Sequence, residues 1–251
     1  MTAAQPFVQE GPDWPGLRIF ATTRAGGVSA APYASFNLGA HVGDAPGAVA
    51  ANRARLRALL PSDPLWLDQV HGTRVADADH EADPAPADAA VTRVPGRVLA
   101  IMTADCLPVV IAAPEAGVLA VAHAGWRGLA GGVLENAVAA MGVPPDAGLR
   151  AWIGPAIGPL AFEVGDEVRG AFARAAEPPA GAFVPTGGHD AAGAPKWLAD
   201  LPALAEQRLR AAGVATVVRS NLCTVAGNDR FYSYRKEGVT GRFATLAWLV
   251  P

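Results

Sequence analysis

The stretch Val98-Leu99-Ala100-Ile101-Met102-Thr103-Ala104-Asp105-Cys106-Leu107-Pro108-Val109-Val110-Ile111-Ala112-Ala113 decides how this chain folds. Residues 98–103 and 109–113 are short runs with almost no polar side chain, the pattern of strands buried on both faces. A third such run, residues 118–122, lies between Gly117 and Gly125. Cys106 falls in the connection between the first two runs, and His123 falls where the third ends. Because the ends of neighbouring strands meet in space, a thiol and an imidazole far apart in sequence are placed to share one site.

Working outward, residues 126–141 have helical character, so His123-Ala124-Gly125-Trp126 reads as a strand-to-helix turn whose free amides favour an anion. The Gly131-Gly132 pair interrupts that pattern. Upstream, residues 47–60 read as a helix with Val49, Leu56, Leu59 and Leu60 on one face and Arg53, Arg55 and Arg57 around it, ended by Pro61. Leu65-Trp66-Leu67 reads as a short strand that delivers Gln69 and His71 to its C-terminal end. Residues 77–88, rich in Asp, Ala and Pro, are expected to form a surface loop. Downstream, residues 149–153 read as a strand and 166–176 as a helix. Residues 177–195 read as a Pro- and Gly-dense loop. Residues 197–212 read as an amphipathic helix carrying Leu198, Leu201, Leu204 and Leu209, and 214–218 and 243–249 as strands. No repeat and no cutting point is evident. Interspersed strands and helices imply a single layered domain, 1–251, of the α+β (mixed α/β) class.

A hydrophobic content of 51% and a mean hydropathy of +0.22 supply ample core for 251 residues. A net charge of -3 offers no general attraction to nucleic acid or an anionic membrane, which points to a small-molecule partner. Only Lys196 and Lys236 among the 20 basic residues are lysines, so Arg is the default cation here and a single Arg says little. Residues 1–16 lack a basic and apolar leader pattern, and no apolar run is long enough to cross a bilayer; the expected location is cytoplasmic. Two cysteines, Cys106 and Cys223, are too few for a disulfide framework and suit a reducing compartment.

His71, Cys106 and His123 have the composition of a catalytic zinc site, three protein ligands with a fourth position open. Their separations, 35 and 17 residues, differ from the close Cys spacing of structural zinc modules. The same residues also suit a thiol hydrolase with Cys106 as nucleophile and a histidine as base. Spacing alone separates neither reading from a third, in which Cys106 is a small buried hydrophobe beside unrelated histidines. Asp105 and Arg127 favour a site, being charges at the edges of apolar strands; their bland role is an internal salt bridge. With five histidines, conventional multicopper oxidation is disfavoured; His41, His80 and His189 show no company and read as surface residues. Asn37, Arg53, Gln69 and Arg235, the last in Phe231-Tyr232-Ser233-Tyr234-Arg235, are candidate contacts to a sugar, phosphate or base. Cys223 reads as core.

Phe36-Asn37-Leu38-Gly39, Asp68-Gln69-Val70-His71-Gly72, Thr103-Ala104-Asp105-Cys106-Leu107-Pro108, Ala122-His123-Ala124-Gly125-Trp126-Arg127-Gly128, Ile153-Gly154-Pro155 and Phe231-Tyr232-Ser233-Tyr234-Arg235 together resemble the YfiH family, from about Thr22 to Trp248. That family is also called the multicopper polyphenol oxidoreductase laccase family and includes the peptidoglycan editing factor. The resemblance implies a layered domain with mixed sheets flanked by helices, similar to the catalytic domain of a cytotoxic necrotising toxin. It also implies zinc on the residues matching His71, Cys106 and His123. Family activities include phosphorolysis of adenosine, inosine and methylthioadenosine, adenosine deamination, copper-dependent polyphenol oxidation and editing of UDP-muramyl-serine precursors. Ala156 departs from the Cys that many relatives carry there, which counts against a role needing a second thiol at that position.

The leading expectation is a zinc-dependent purine nucleoside enzyme. In phosphorolysis, Arg53, Arg127 or Arg235 would hold phosphate. In deamination, Asp105 would carry a proton; the base-deaminase signature H-x-E with P-C-x-x-C is absent. The alternatives are the editing hydrolase or amidase, a copper oxidoreductase, and a metal-binding protein without catalysis.

Overall fold

The computed structural model describes residues 7–81, 86–144, 147–174 and 177–250. In the first half the strands are β1 (Val8–Glu10), β2 (Leu17–Thr22), β3 (Leu65–Trp66), β4 (Val75–Asp77), β5 (Ala89–Thr92), β6 (Leu99–Thr103), β7 (Leu107–Ala113) and β8 (Val118–Ala124). In the second half they are β9 (Arg150–Ile153), β10 (Glu163–Gly165), β11 (Phe183–His189), β12 (Pro195–Ala199), β13 (Thr216–Arg219) and β14 (Phe243–Leu249). The helices are α1 (Pro46–Arg57), α2 (Trp126–Gly131), α3 (Val133–Met141), α4 (Asp166–Ala173), α5 (Leu201–Ala211) and α6 (Tyr234–Glu237).

A five-stranded sheet runs β1-β2-β14-β6-β3, a six-stranded sheet β13-β9-β7-β8-β5-β4, and a small sheet β10-β12-β11. The two large sheets are mixed: β3 with β6, β4 with β5 and β13 with β9 are parallel, and the other pairs are antiparallel. The buried runs read from sequence are β6, β7 and β8, and alternation explains why they carry so little polarity. In β7, Val109, Ile111 and Ala113 enter a core shared with α3 and α5, while Val110 and Ala112 enter the layer between the two large sheets. In β6, Leu99 and Ile101 face that same layer, while Ala100 and Met102 pack with Leu56 and Leu60, which follow the apolar face of α1. The layers are therefore α1, five-stranded sheet, six-stranded sheet, then the remaining long helices.

Period two also aims the chemistry. His123 shares the parity of Leu119 and Val121, both in the inter-sheet layer, so its imidazole emerges at the end of that layer. The helix expected at 126–141 is broken at Gly132, whose φ of 99° is open to glycine at no steric cost.

Four expectations need correction. Residues 177–195 are not simply a loop: β11 lies inside them and pairs with β12, whose own first residue is Pro195. Trp197 and Leu198 belong to β12 rather than to a helix. That helix, α5, begins at Leu201, where Asp200 accepts the amide of Ala203 at 2.8 Å and Pro202 sits in the first turn. The expected loop 77–88 starts as the end of β4 and finishes at Asp88, which is fully buried; residues 82–85 lie outside the described residues. Cys223 is half-buried against a cavity rather than in the core. Of the helix expected at 166–176, residues 175–176 lie outside the described residues. No described helix is long and apolar enough to cross a membrane.

Candidate active site

Asp88 organises the site. Its carboxylate accepts the amides of Val70 at 3.2 Å, His71 at 2.9 Å and Gly72 at 2.6 Å, and holds His123 Nδ1 at 2.8 Å. One buried side chain therefore fixes both histidines, the first through its backbone and the second through its ring. His71 sits at φ 61°, a left-handed conformation uncommon for a residue with a side chain. The three amides gathered on Asp88 hold it there. Burial alone would raise the Asp88 carboxyl, but His123 and the Gly72 and Val70 amides keep it below its ordinary value.

With Nδ1 committed to Asp88, His123 is left with Nε2 for the thiol side. Cys106 Sγ lies 3.8 Å from His71 Nε2, and the ligand atoms of His71, Cys106 and His123 all lie within 4.8 Å of one another. Burial pushes the Cys106 thiol up, yet the two imidazoles outweigh it and draw it down to about 6. Burial opposes the charge on His123 as well, while Asp88 and Cys106 raise it to about 9. The pair favours thiolate and imidazolium together.

Gly125 belongs to this packing. A Cβ there would stand 2.7 Å from His71 Cδ2 and 3.2 Å from Cys106 Sγ, so the turn after β8 can pass the site only as glycine. At Gly128 a Cβ would stand 2.7 Å from the Gly72 carbonyl, which explains the close approach of α2 to the same turn.

The donor set opens into a cavity of about 520 Å³, lined in part by His41, Leu67, Met102, Thr103, Tyr234 and Arg242. Its volume lies within the range of small-ligand pockets. His41 is an exposed residue, as expected, but it has company after all, which corrects its reading as isolated; burial and then Arg242 and Arg53 lower its pKa. His80 and His189 are not among the lining residues.

The other expected contacts are placed differently. Gln69 lines the cavity, but its amide is occupied, donating to the Met102 carbonyl at 2.8 Å and accepting the Met102 amide at 2.9 Å, which extends the β6 ladder past the end of β3. Asn37 is fully buried; its Oδ1 accepts the amides of Gly39 and Arg242, and its Nδ2 donates to Gly39 and Asp44. Arg53 donates to the Leu38 carbonyl at 3.0 Å and lies over the Trp66 ring. Arg127 is exposed on Trp126, and Arg235 donates to the Glu163 carbonyl. None of Asn37, Arg53, Arg127 and Arg235 lines the cavity. Asp105, expected as a proton carrier, has both oxygens engaged: one accepts the Thr224 hydroxyl at 2.6 Å and the other the Arg235 amide at 2.6 Å. This holds its φ of 101° and the turn that presents Cys106.

Sequence reasoning missed Asp88, Tyr234 as a lining residue, and Arg242. The signal for Asp88 was its position immediately before the apolar Ala89-Ala90-Val91. Arg242 carried none beyond its place ahead of β14.

A family model described as "Multi-copper polyphenol oxidoreductase laccase" matches residues 18–250. The chain belongs to that family. A purine nucleoside phosphorylase of Pseudomonas aeruginosa is 51% identical over 241 residues, covering 95% of this chain and 97% of the relative. The purine nucleoside phosphorylase YfiH of Escherichia coli is 46% identical over 245 residues, covering 95% and 98%. A Neisseria meningitidis protein of known structure is 45% identical with a TM-score of 0.88, covering 98% of this chain and 100% of its own. YlmD from Geobacillus stearothermophilus is 31% identical with a TM-score of 0.87, covering 100% and 98%. The family's descriptive name speaks of several coppers. Among the described residues, His71, Cys106 and His123 form the one cluster of three or more ligand-type side chains.

Proposed function

We propose that this chain is a metal-dependent purine nucleoside phosphorylase acting on adenosine, inosine and methylthioadenosine, with adenosine deamination as a second reaction of the same cavity. The observation that carries the reading is the convergence of His71, Cys106 and His123 at the wall of a nucleoside-sized cavity, in a chain 51% identical to a protein of that name.

The donor set fits zinc. A tetrahedral ion with ordinary zinc–sulfur and zinc–nitrogen bonds sets its ligand atoms about 3.5 Å apart. The 3.8 Å between Cys106 Sγ and His71 Nε2 is close to that edge. The Asp88–His123 contact is the carboxylate–histidine arrangement that fixes a metal-binding tautomer. When bound, the ion would supply Lewis-acid polarisation of the substrate. Copper would accept the same thiolate and imidazoles.

Around this centre the chain's own residues bind and orient. Tyr234, Leu67 and Met102 offer aromatic and apolar surface to a purine, and the buried Thr103 hydroxyl, without a protein partner, marks the polar part of the wall. Asp105 positions Cys106 rather than moving a proton. The reading puts the enzyme in the cytoplasm, in keeping with its two free thiols, Cys106 and Cys223, which reducing conditions would preserve.

Purified protein incubated with inosine and phosphate is expected to release hypoxanthine and ribose 1-phosphate. Turnover no greater than that of a Cys106→Ala protein would reject the reading.

The sequence Asp88–His123–Cys106 favours one second reading, a thiol amidase in which His123 activates Cys106 for attack on a peptidoglycan precursor carrying serine. Its signature is activity that survives complete chelation, which the phosphorylase reading does not allow.

A further inference from the structure

The Phe36-Asn37-Leu38-Gly39 motif touches no part of the cavity, yet it is built around one residue that does. Asn37 Oδ1 accepts the Arg242 amide at 2.8 Å, and its own carbonyl is held by Asn52 Nδ2 at 2.9 Å. Leu38 N donates to the Arg242 carbonyl at 3.0 Å, so both backbone groups of Arg242 are fixed. Gly39 then makes room for the side chain: a Cβ there would stand 2.9 Å from Arg242 Cγ. Gly241 is equally tight, with a would-be Cβ 2.7 Å from the Tyr232 ring and 2.9 Å from Asn37. Two motifs thus converge on a single arginine stem.

That arginine is charged, half-buried and incompletely satisfied. Nη1 donates to the carbonyls of Thr240 and Gly241 at 3.1 and 3.0 Å. Nε and Nη2 have no protein acceptor among the described residues. Arg242 and His41 line the same cavity, and Arg53 is close enough to act on His41. Neither Arg242 nor Arg53 is ion-paired with a carboxylate among the described residues. Asp68 on the cavity rim is exposed, and its pull on His41 is weaker than that of the two guanidiniums. Cys106 and Asp105 act on Arg242 through space but neither bonds its guanidinium, so a half-buried, preorganised guanidinium with a free edge facing the cavity is placed to take an anion from outside.

We propose that Arg242, with His41 beside it, is the oxyanion subsite of this cavity, and that its ligand is inorganic phosphate. That this phosphate is a co-substrate rests on the phosphorylase reading, but the subsite itself is testable without turnover. The free Nε and Nη2 of Arg242 form the planar fork that matches two phosphate oxygens. His41 adds a ring N–H. The arginines expected from sequence, Arg53, Arg127 and Arg235, spend their guanidiniums on carbonyls or aromatic faces.

The experiment is calorimetric titration of the purified full chain with inorganic phosphate, beside steady-state kinetics with inosine. Arg242→Gln is expected to raise both the phosphate Kd and the phosphate KM roughly 10- to 100-fold, the scale of hydrogen bonds to charged groups. The KM for inosine should hold. Arg242→Lys should fall between, keeping charge without the fork. Gly39→Ala, which changes no charge, should also raise the phosphate KM by displacing the Arg242 stem. Arg210→Gln, at an exposed pair with Glu206, is the control. A phosphate Kd and KM unchanged in Arg242→Gln would overturn the subsite while leaving phosphorolysis standing. Arg242-dependent phosphate binding in a protein that cleaves no nucleoside would uphold the subsite and remove the proposed function. Arg242-dependent binding of a nucleoside 5′-monophosphate, with none of inorganic phosphate, would overturn the co-substrate assignment.

Discussion

Cys106 and Cys223 are the two thiols of this chain, both half-buried, both at the edge of a cavity, and they have been given opposite chemistry. Cys106 looks onto His71 and His123, with Asp88 behind the second. The Cys223 sulfur accepts the Gly158 amide at 3.3 Å and lines a smaller cavity of about 220 Å³ that has no histidine among its described lining residues. Burial is similar, so burial does not make the difference. Imidazoles positioned by a buried carboxylate do. The contrast teaches that a reactive thiol here is a property of three strand ends brought together rather than of cysteine in a cleft.

The hardest way to break the comparison is to delete the thiol that it calls functional. Cys106→Ala is expected to lower turnover by at least about 100-fold, since partners one shell further from a metal already cost 10- to 100-fold when lost. Metal content by emission spectroscopy should fall with it. If Cys106→Ala retains both metal and turnover, the two thiols are equivalent and the proposed centre is lost.

The next largest effect tests the carboxylate. Asp88→Asn keeps the size of the side chain and some of its hydrogen bonds but removes the charge facing His123. Metal affinity or turnover should fall about 10- to 100-fold, with less loss of fold than a truncation would cause. Unaltered metal affinity would show that His123 is oriented by packing alone.

Asp88 also marks where sequence reading ran out. The buried strands β6, β7 and β8 and the meeting of His71, Cys106 and His123 were legible, because apolar runs and strand ends obey local rules. Asp88 was hidden in a composition of Asp, Ala and Pro that ordinarily means solvent. Its burial follows from three amides and an imidazole contributed by segments 16 to 35 residues away, which no local pattern records. Trp197 and Leu198 failed for a related reason: their apolar spacing suits a helix face, but pairing with β10 and β11 claimed them for a strand. Arg53, Arg127 and Arg235 had the right chemistry, while the arginine at the cavity, Arg242, is the one held by Asn37 and Leu38 of a different segment.

A pH experiment sharpens the comparison further. The thiolate is the reactive form, and a thiol drawn down to about 6 becomes thiolate as pH rises through that value rather than through the ordinary value near 8.5. After metal removal, iodoacetamide labelling of a Cys223→Ala protein should therefore rise with a midpoint near pH 6 and be lost below it. At pH 7 it should be only about two- to threefold faster than for an unperturbed thiol, the lower nucleophilicity of an acidic thiol offsetting most of the gain in thiolate. In the Asp88→Asn background the midpoint should move upward, because His123 loses the carboxylate that favours its proton. A midpoint near 8.5 in both proteins would mean that the imidazoles do not act on Cys106.

The smallest effect is expected at the other thiol. Cys223→Ala removes a sulfur that accepts one amide and touches Gly158, where a Cβ would already stand 3.2 Å from it. The lost contact is partly exposed, so the cost to stability should stay within about 1 kcal/mol, read as a small shift in Tm. Turnover and metal content should match the parent protein. The result matters because Thr224, the next residue, holds Asp105 at 2.6 Å and so shapes the turn that presents Cys106. If Cys223→Ala slows turnover while metal content is kept, the two cavities communicate through Thr224 and Asp105, and the thiols differ in proximity to the reaction rather than in involvement.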